Sequence, residues 1–577
     1  MKSPIRGVRR KVAAAIAVAV VASLGTVAPS SAAKVSAPVR GGELKVGVFD
    51  QFVGFCMADN NANSALFAVR SMYETWVEQR ADGKIVPYLL QSITPSADFK
   101  TWTLTVRDGI TFHDGSPVNA QALVLNLEAL RGSLFINGLL GRTPSAPNPS
   151  TAGAFTANIA SVTATSPMTV VVGLVRPATD FPETLYGSGR FIARGAAQLT
   201  GGKCSTTVVG TGPFKLTSFN PNELRVEKNP TYWRKDANGQ ALPYLDKITF
   251  TFLVDAKPRE SGVKNGSLDM AMFSSAGESR IMGALAKNSK VTKLISPPDY
   301  YPLIWFNNRV APFNDRNARL AFSHALDHAR YVKVRQAGLP GALVPDSIVG
   351  PNSIMYTKRG FAEFNLNGAK DYVAKWKAAN PGKELEFSFP YTSGSTDSLA
   401  NATLIKQMVE AAGMKMNLLP QTTAELITKT FPQQYQVMSL TLAEGTGTAF
   451  TLPFLVSDNS WGNPTNPFNA AAAATGNRAL AAVPRILNLA NLNDPGLETL
   501  LSDARATNSP AAKRRLYQSA TQRIQSEAYV ATVGYTQYGL VYGKNVQGVN
   551  QLGLTSGGNR RPVTNFGIDL TAVYKSK

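Results

Sequence analysis

Apolar and polar positions alternate with period two in some stretches of the chain and recur at three- and four-residue spacing in others. Thr101–Val106 shows the first pattern: Trp102, Leu104 and Val106 share one face and Thr101, Thr103 and Thr105 the other, which predicts a half-buried strand. Within Ile248–Val254, Ile248, Phe250 and Phe252 alternate with Thr249 and Thr251 in the same way. Glu43–Val48, Met168–Val175, Leu224–Glu227, Leu385–Phe389 and Met414–Leu419 also read as strands. Helices are predicted over Ala65–Val77, Val118–Arg131, Asn367–Ala379, Ala400–Ala412, Gly496–Ala506 and Pro510–Glu527. Ser116 and Pro117 suit the N-cap and first helical position of Val118–Arg131, and Gly413 closes Ala400–Ala412. Strand, helix and strand between Leu385 and Leu419 make a parallel α/β unit.

One stretch divides this pattern. Leu303, Ile304, Trp305 and Phe306 form an apolar strand that gives way to a turn around Pro312. A helix follows with Asn314 or Asp315 as N-cap, and Ala318, Ala321, Phe322, Ala325, Leu326 and Ala329 fall on its buried face. The segments before this stretch build one α/β lobe and those after it a second, with the strand crossing between them. Gly132–Asn158, rich in Gly, Pro, Ser and Asn, reads as a surface excursion, and Ser457–Val483 as an irregular, then Ala-rich insertion. The Gly-rich tail from Val541 is expected to return to the first lobe.

Composition changes this picture mainly at the N-terminus. The 577 residues are 44% hydrophobic and 17% charged, an ordinary globular balance. Met1–Lys11 carries Lys2, Arg6, Arg9, Arg10 and Lys11 without an acid; an apolar run, Val12–Ala22, and the small residues Ser31, Ala32 and Ala33 follow. That is the make-up of a cleaved secretory signal, residues 1–33, too short for a stable membrane anchor. No Cys follows the apolar run, so no lipid attachment is expected and the periplasm is the expected compartment. The formal charge is +21, and losing the five positives of the signal leaves +16. Such a charge suits nucleic acid, yet the longest basic run of the mature chain is Lys513-Arg514-Arg515, a solvated helix face, so no nucleic-acid partner is expected. Cys56 and Cys204 are the only cysteines; in an exported chain a disulfide between them is favoured over two buried thiols.

Catalytic constellations are absent from the sequence. His324 and His328 stand four apart on a predicted helix, but Ala325 occupies the place of the Glu in the zinc-protease pattern, and no third ligand is near. His113 suits a structural hydrogen bond. No G-x-S-x-G elbow and no P-loop occurs, and Gly210-Thr211-Gly212 lacks the further Gly of a dinucleotide fingerprint. No enzyme, no metal and no cofactor is expected.

Six short motifs in one order carry a resemblance. Phe112-His113-Asp114-Gly115-Ser116-Pro117, Gly210-Thr211-Gly212-Pro213-Phe214, Asn229-Pro230-Thr231-Tyr232-Trp233, Leu245-Asp246-Lys247-Ile248 and Gly266-Ser267-Leu268-Asp269 precede Asn307, Pro312-Phe313-Asn314-Asp315 and Arg319-Leu320-Ala321. Together they resemble the peptide/nickel-binding family of extracytoplasmic solute-binding proteins of ABC transporters, over nearly the whole mature chain. The resemblance implies an α/β, two-lobed periplasmic-binding-protein fold (type II, venus-flytrap) with an extra subdomain in the N-terminal lobe. It places lobe I in 41–73, 206–300 and 541–577, the extra subdomain in 74–205 and lobe II in 301–540. It implies a monomeric receptor that closes on its solute and presents it to a membrane permease.

Departures from the pattern bear on the ligand. Dipeptide-binding relatives hold the peptide's amino group with an Asp in a loop that corresponds to Met438–Gly447; here the only acid in that stretch is Glu444. Their carboxylate-binding Arg has no counterpart in Pro390–Asp397. An oligopeptide is therefore expected before a strict dipeptide, with an oligosaccharide, opine or metal chelate as the alternative and an exported hydrolase as the rival class. Glu444, Tyr391, Trp461, Asp50 and Phe55 are the expected ligand contacts, from loops that face the cleft in this kind of fold.

Overall fold

A seven-stranded sheet forms the floor of lobe I in the computed structural model, which describes residues 38–56, 63–146, 152–430, 432–443, 454–455, 465–476, 480, 483, 486–561 and 568–576. Its strand order is Val291–Ile295, Tyr538–Gly543, Met270–Ser274, Glu43–Val48, Lys247–Phe252, Glu223–Lys228 and Phe214–Asn220. Glu43–Val48 runs parallel to both of its neighbours, so three strands present their carboxyl ends at one edge. Leu44, Val46, Ile248, Phe250, Met270 and Leu540 fill the core beneath. The tail returns to this lobe as expected: Val546, Val549, Ile568, Leu570 and Val573 join the same core.

The extra subdomain has a sheet of its own, ordered Leu90–Pro95, Thr101–Val106, Thr169–Leu174 and Ile159–Ser166, all antiparallel. Trp102, Leu104 and Val106 pack inward while Thr101 and Thr103 face solvent, as the alternation predicts. Lobe II contains the parallel pair Glu386–Thr392 and Lys415–Gln421 and a three-stranded sheet ordered Val437–Ala443, Tyr300–Phe306, Val530–Thr532. Tyr300 belongs to the core of lobe I, whereas Ile304 and Phe306 belong to that of lobe II. The strand therefore crosses between lobes.

Several local expectations are corrected. The helix predicted over Ala65–Val77 stops at Val69, and Val77 lies in a short strand, Val77–Gln79. The side chains of Glu74, Thr75 and Glu78 between and beside them are drawn into buried bonds that no helix face offers. The helix predicted from Val118 begins at Ala120, capped by Asn119, which accepts from the Ala122 amide at 3.0 Å. Val118 instead donates its amide to the Ile110 carbonyl. Gly132–Asn158 is no simple excursion: Ser133–Leu139 and Ala152–Phe155 are helical, with Leu134, Ile136 and Ala154 buried. Asp315 is the N-cap of Arg316–Ala325 (2.7 Å to the Asn317 amide), and Ala329, on the next helix, is exposed rather than buried. Lys513 is not wholly solvated, since its ammonium donates to the Thr179 hydroxyl.

Candidate functional site

In an open α/β sheet, the carboxyl ends of parallel strands leave a crevice where ligands sit. Here that edge lies at the crossing strands, and the side chains gathered there are aromatic and charged. Tyr300, at the start of the crossing strand, meets Tyr538 edge-to-face with centroids 4.4 Å apart, and Phe49 stacks on Tyr538 at 6.2 Å. Asp50 follows Phe49 directly; its carboxylate accepts the Ser64 amide at 2.6 Å while its own amide donates to the Ser64 hydroxyl at 2.7 Å. The loop is thereby pinned to the start of helix Asn63–Val69.

Arg190 completes the group. It follows the tight Gly187–Gly189 turn, which is fastened by Arg70 donating to the Gly189 carbonyl at 3.0 Å. Burial pulls the Arg190 guanidinium below its ordinary pKa, and Tyr300, Tyr538, Tyr186 and Asp50 act in the opposite direction. The Arg190 guanidinium thus stands half-buried among tyrosines and one carboxylate, and a guanidinium is the side chain whose paired N–H groups match a planar anion.

Lobe II faces this edge with its own strand ends. Ala443 pairs directly with Tyr300, so strand Val437–Ala443 ends beside the tyrosines. Glu444 and Trp461 themselves lie outside the described residues. Tyr391 sits at the carboxyl end of Glu386–Thr392, half-buried against the lobe II core. The turn beyond it is held by Thr392 donating its amide to Ser398 Oγ at 2.9 Å and leads into helix Thr396–Ala411. Asp397 in the first turn of that helix pairs with Arg335 and approaches Gly277 of lobe I so closely that a methyl there would overlap its carboxylate. The lobes are thus in contact beside the crevice.

Phe55 stands apart from this group: its ring is 1% exposed in the lobe I core, 4.8 Å from Phe219, and it offers no surface to the cleft. Only its carbonyl is used, accepting from Arg194 and Gln198. Cys56, beside it, is bonded to Cys204 with Cα atoms 4.8 Å apart. Of the sequence candidates, the structure brings Asp50 to the strand-end edge and sets Tyr391 at the facing strand end. Arg190, Tyr300 and Tyr538 stand at the same edge and are not among the sequence candidates. The signal for Arg190 is a single cation directly after Gly187-Ser188-Gly189, in the otherwise uncharged run Leu185–Ala193.

The histidines are occupied elsewhere. His113 Nε2 lies 3.0 Å from the Gly212 carbonyl, His328 Nε2 3.0 Å from that of Thr532, and His324 Nδ1 2.8 Å from that of Glu363. Among the described residues no cluster of three or more His, Cys, Asp or Glu is placed to hold a metal ion, and no helix is long and apolar enough to cross a membrane.

Two lobes on crossing strands, an extra subdomain and a crevice at the strand ends define a type II periplasmic binding protein. A profile of the family "Bacterial extracellular solute-binding proteins, family 5 Middle" matches residues 84–466, and the chain belongs to that family. Its members are solute-binding receptors of ABC importers rather than enzymes. The glutathione-binding protein GsiB of Escherichia coli (strain K12) is 26% identical over 496 residues, covering 84% of this chain and 87% of that protein. Among solved structures, AgaA of A. tumefacien R10 in complex with agropinic acid superposes with a TM-score of 0.75 at 19% identity, over 93% of this chain and 99% of that one. AppA of Bacillus subtilis in complex with a nonapeptide superposes with a TM-score of 0.72 at 17% identity, over 94% and 100%.

Proposed function

We propose that this chain is exported by cleavage of residues 1–33, acts as a monomer, and captures a peptide bearing a free carboxylate, which it delivers to an ABC permease. The domain boundaries proposed are 41–73, 206–300 and 541–577 for lobe I, 74–205 for the subdomain and 301–540 for lobe II. The convergence of Arg190, Asp50, Tyr300 and Tyr538 at the strand-end edge supports this reading above all. Arg190 is the proposed carboxylate anchor. Asp50 and Glu444 are the acids proposed for the amino group, and Tyr391 and Trp461 the stacking faces. Glutathione, agropinic acid and a nonapeptide, the solutes named for the three relatives above, all carry carboxylates, the chemistry that such an anchor selects. An oligopeptide is preferred to a strict dipeptide because Pro390–Asp397 lacks the Arg that dipeptide binders place there.

The test is native mass spectrometry of protein purified without denaturant, with the bound species ejected and weighed. Masses that resolve into amino-acid compositions support the peptide reading. A single non-peptide mass, such as a sugar acid or metal chelate, would retire it and leave the family assignment intact. Arg190→Gln is expected to weaken binding of the recovered acid by about 100-fold, the order of a lost charged bidentate contact; unchanged affinity would remove Arg190 from the site.

A further inference from the structure

The extra subdomain is joined by the chain to lobe I, yet segments that follow the crossing strand in sequence pack against it at three places. At the first, Arg505 in the last turn of helix Pro495–Ala506 brings Nε within 3.0 and 2.9 Å of the two carboxylate oxygens of Asp180, which precedes the subdomain helix Phe181–Tyr186. The two side chains are 8% and 1% exposed. Thr179 adds its amide and its hydroxyl to the Arg505 carbonyl, each at 2.9 Å. At the second, Phe468 of helix Pro467–Thr475 is wholly buried; its ring would be overlapped by a methyl on Gly132 and reached at 2.9 Å by one on Gly153, so those glycines make its socket. At the third, Phe454 lies between Phe155 of the subdomain (5.9 Å) and Trp305 of the crossing strand (6.3 Å).

We propose that these contacts form a clasp, with the Asp180–Arg505 pair and Phe454 as its positioning residues, that closes the subdomain on lobe II and holds the lobes together. Rotation of the lobes about the crossing strands separates Arg505 from Asp180 and Phe454 from Phe155. Each separation exposes apolar surface and a charge that was paired inside. The clasp therefore favours the closed arrangement whether or not solute is present, and it slows solute release. The idea goes beyond the proposed ligand and needs only the two-lobed fold.

Hydrogen exchange followed by mass spectrometry, with residue-level fragmentation, reads the clasp directly on protein stripped of solute by partial unfolding and refolded. The Thr179 amide is bonded to lobe II through the Arg505 carbonyl, whereas the Leu174 amide is bonded within the subdomain to Lys100 at 2.7 Å. Protection of Thr179 is expected to be at least tenfold below that of Leu174, because the clasp opens without unfolding the subdomain. The double variant Asp180→Asn/Arg505→Gln removes both charges together and leaves neither buried alone. It is expected to lower Thr179 protection a further tenfold, leave Leu174 unchanged and enlarge the radius of gyration in small-angle scattering. Equal protection of Thr179 and Leu174 in the unaltered protein would overturn the proposal, since the contact would then be part of one rigid body. So would a variant whose Thr179 loosens without any change in scattering. The unaltered protein decides the first question even where the variant fails to fold.

Discussion

Glu74 explains why three of the sequence motifs keep company. One carboxylate oxygen accepts the hydroxyls of Tyr88 and Tyr232 at 2.8 and 2.7 Å, and the other accepts the Thr211 hydroxyl and the Trp233 indole N–H, each at 2.9 Å. Thr211 comes from Gly-Thr-Gly-Pro-Phe and Tyr232-Trp233 from Asn-Pro-Thr-Tyr-Trp, while His113 of the Phe-His-Asp-Gly motif is bonded to Gly212. Gly210 and Gly212 are required because a methyl on either would overlap the Met72 backbone. Glu74→Gln puts an NH2 group against two of four donors and is expected to lower stability by about 3 kcal/mol, read from the urea midpoint. Titration of buried groups gives a second expectation. Burial holds His113 and His328 at about 4, so the unfolded chain takes up their protons first, and stability is lost as pH falls from about 6.5 towards 4. Burial raises Asp299 to about 6, opposed by Arg561 at 2.9 Å, so there the folded chain takes the proton first and gains stability as pH falls below 6. Two losses against one gain predict a net fall on the order of 3 kcal/mol between pH 7 and 4.5, measured by urea unfolding across that range. Asp299→Asn removes the gain and should steepen the fall.

At the scale of elements, the loop after the first strand is fastened at both ends: Asp50 to Ser64, and Cys56 to Cys204 across a separation of 148 residues. Closing so long a loop stabilises by up to about 5 kcal/mol on the chain-entropy account. Cys56→Ser/Cys204→Ser is expected to lower the unfolding free energy by about 3 to 5 kcal/mol and to weaken solute binding as well, because the loop carrying Asp50 is then fastened at one end only. Calorimetry with and without reductant checks the first effect, and titration with the recovered solute the second. Element type and order were legible wherever one face is apolar, as in Thr101–Val106 and Leu366–Ala379. Boundaries differ where a bond outside the helix claims a residue that local propensity assigns to it. Ser116 and Pro117 have the right chemistry for a cap, but Val118 is held in an extended stretch by Ile110, so Asn119 takes the role instead.

Over the whole molecule, function depends on how the lobes meet. Gly277 is where helix Ser275–Lys287 of lobe I runs against Asp397 of lobe II, and Gly283 of the same helix lies under the Gly338 carbonyl. Gly277→Ala would force Asp397 off Arg335 or hold the lobes apart. A several-fold loss of solute affinity is expected, with a larger radius of gyration in the liganded state and little change in thermal midpoint. A fall in midpoint with unchanged affinity would mean that this seam serves packing alone.

Strands such as Thr101–Val106, the crossing strand and the family are legible in the chain because each is written in local periodicity or short motifs, whereas the floor strands Met270–Ser274, Val291–Ile295 and Tyr538–Gly543 are not among the strands that periodicity predicts. Only the tertiary structure decided that Arg190 joins Asp50, Tyr300 and Tyr538, that Phe55 is core, and that Asp180 meets Arg505 across the lobes. Those partners lie more than a hundred residues apart in sequence. Their meeting is set by sheet order and lobe packing, and no local preference of the chain records it.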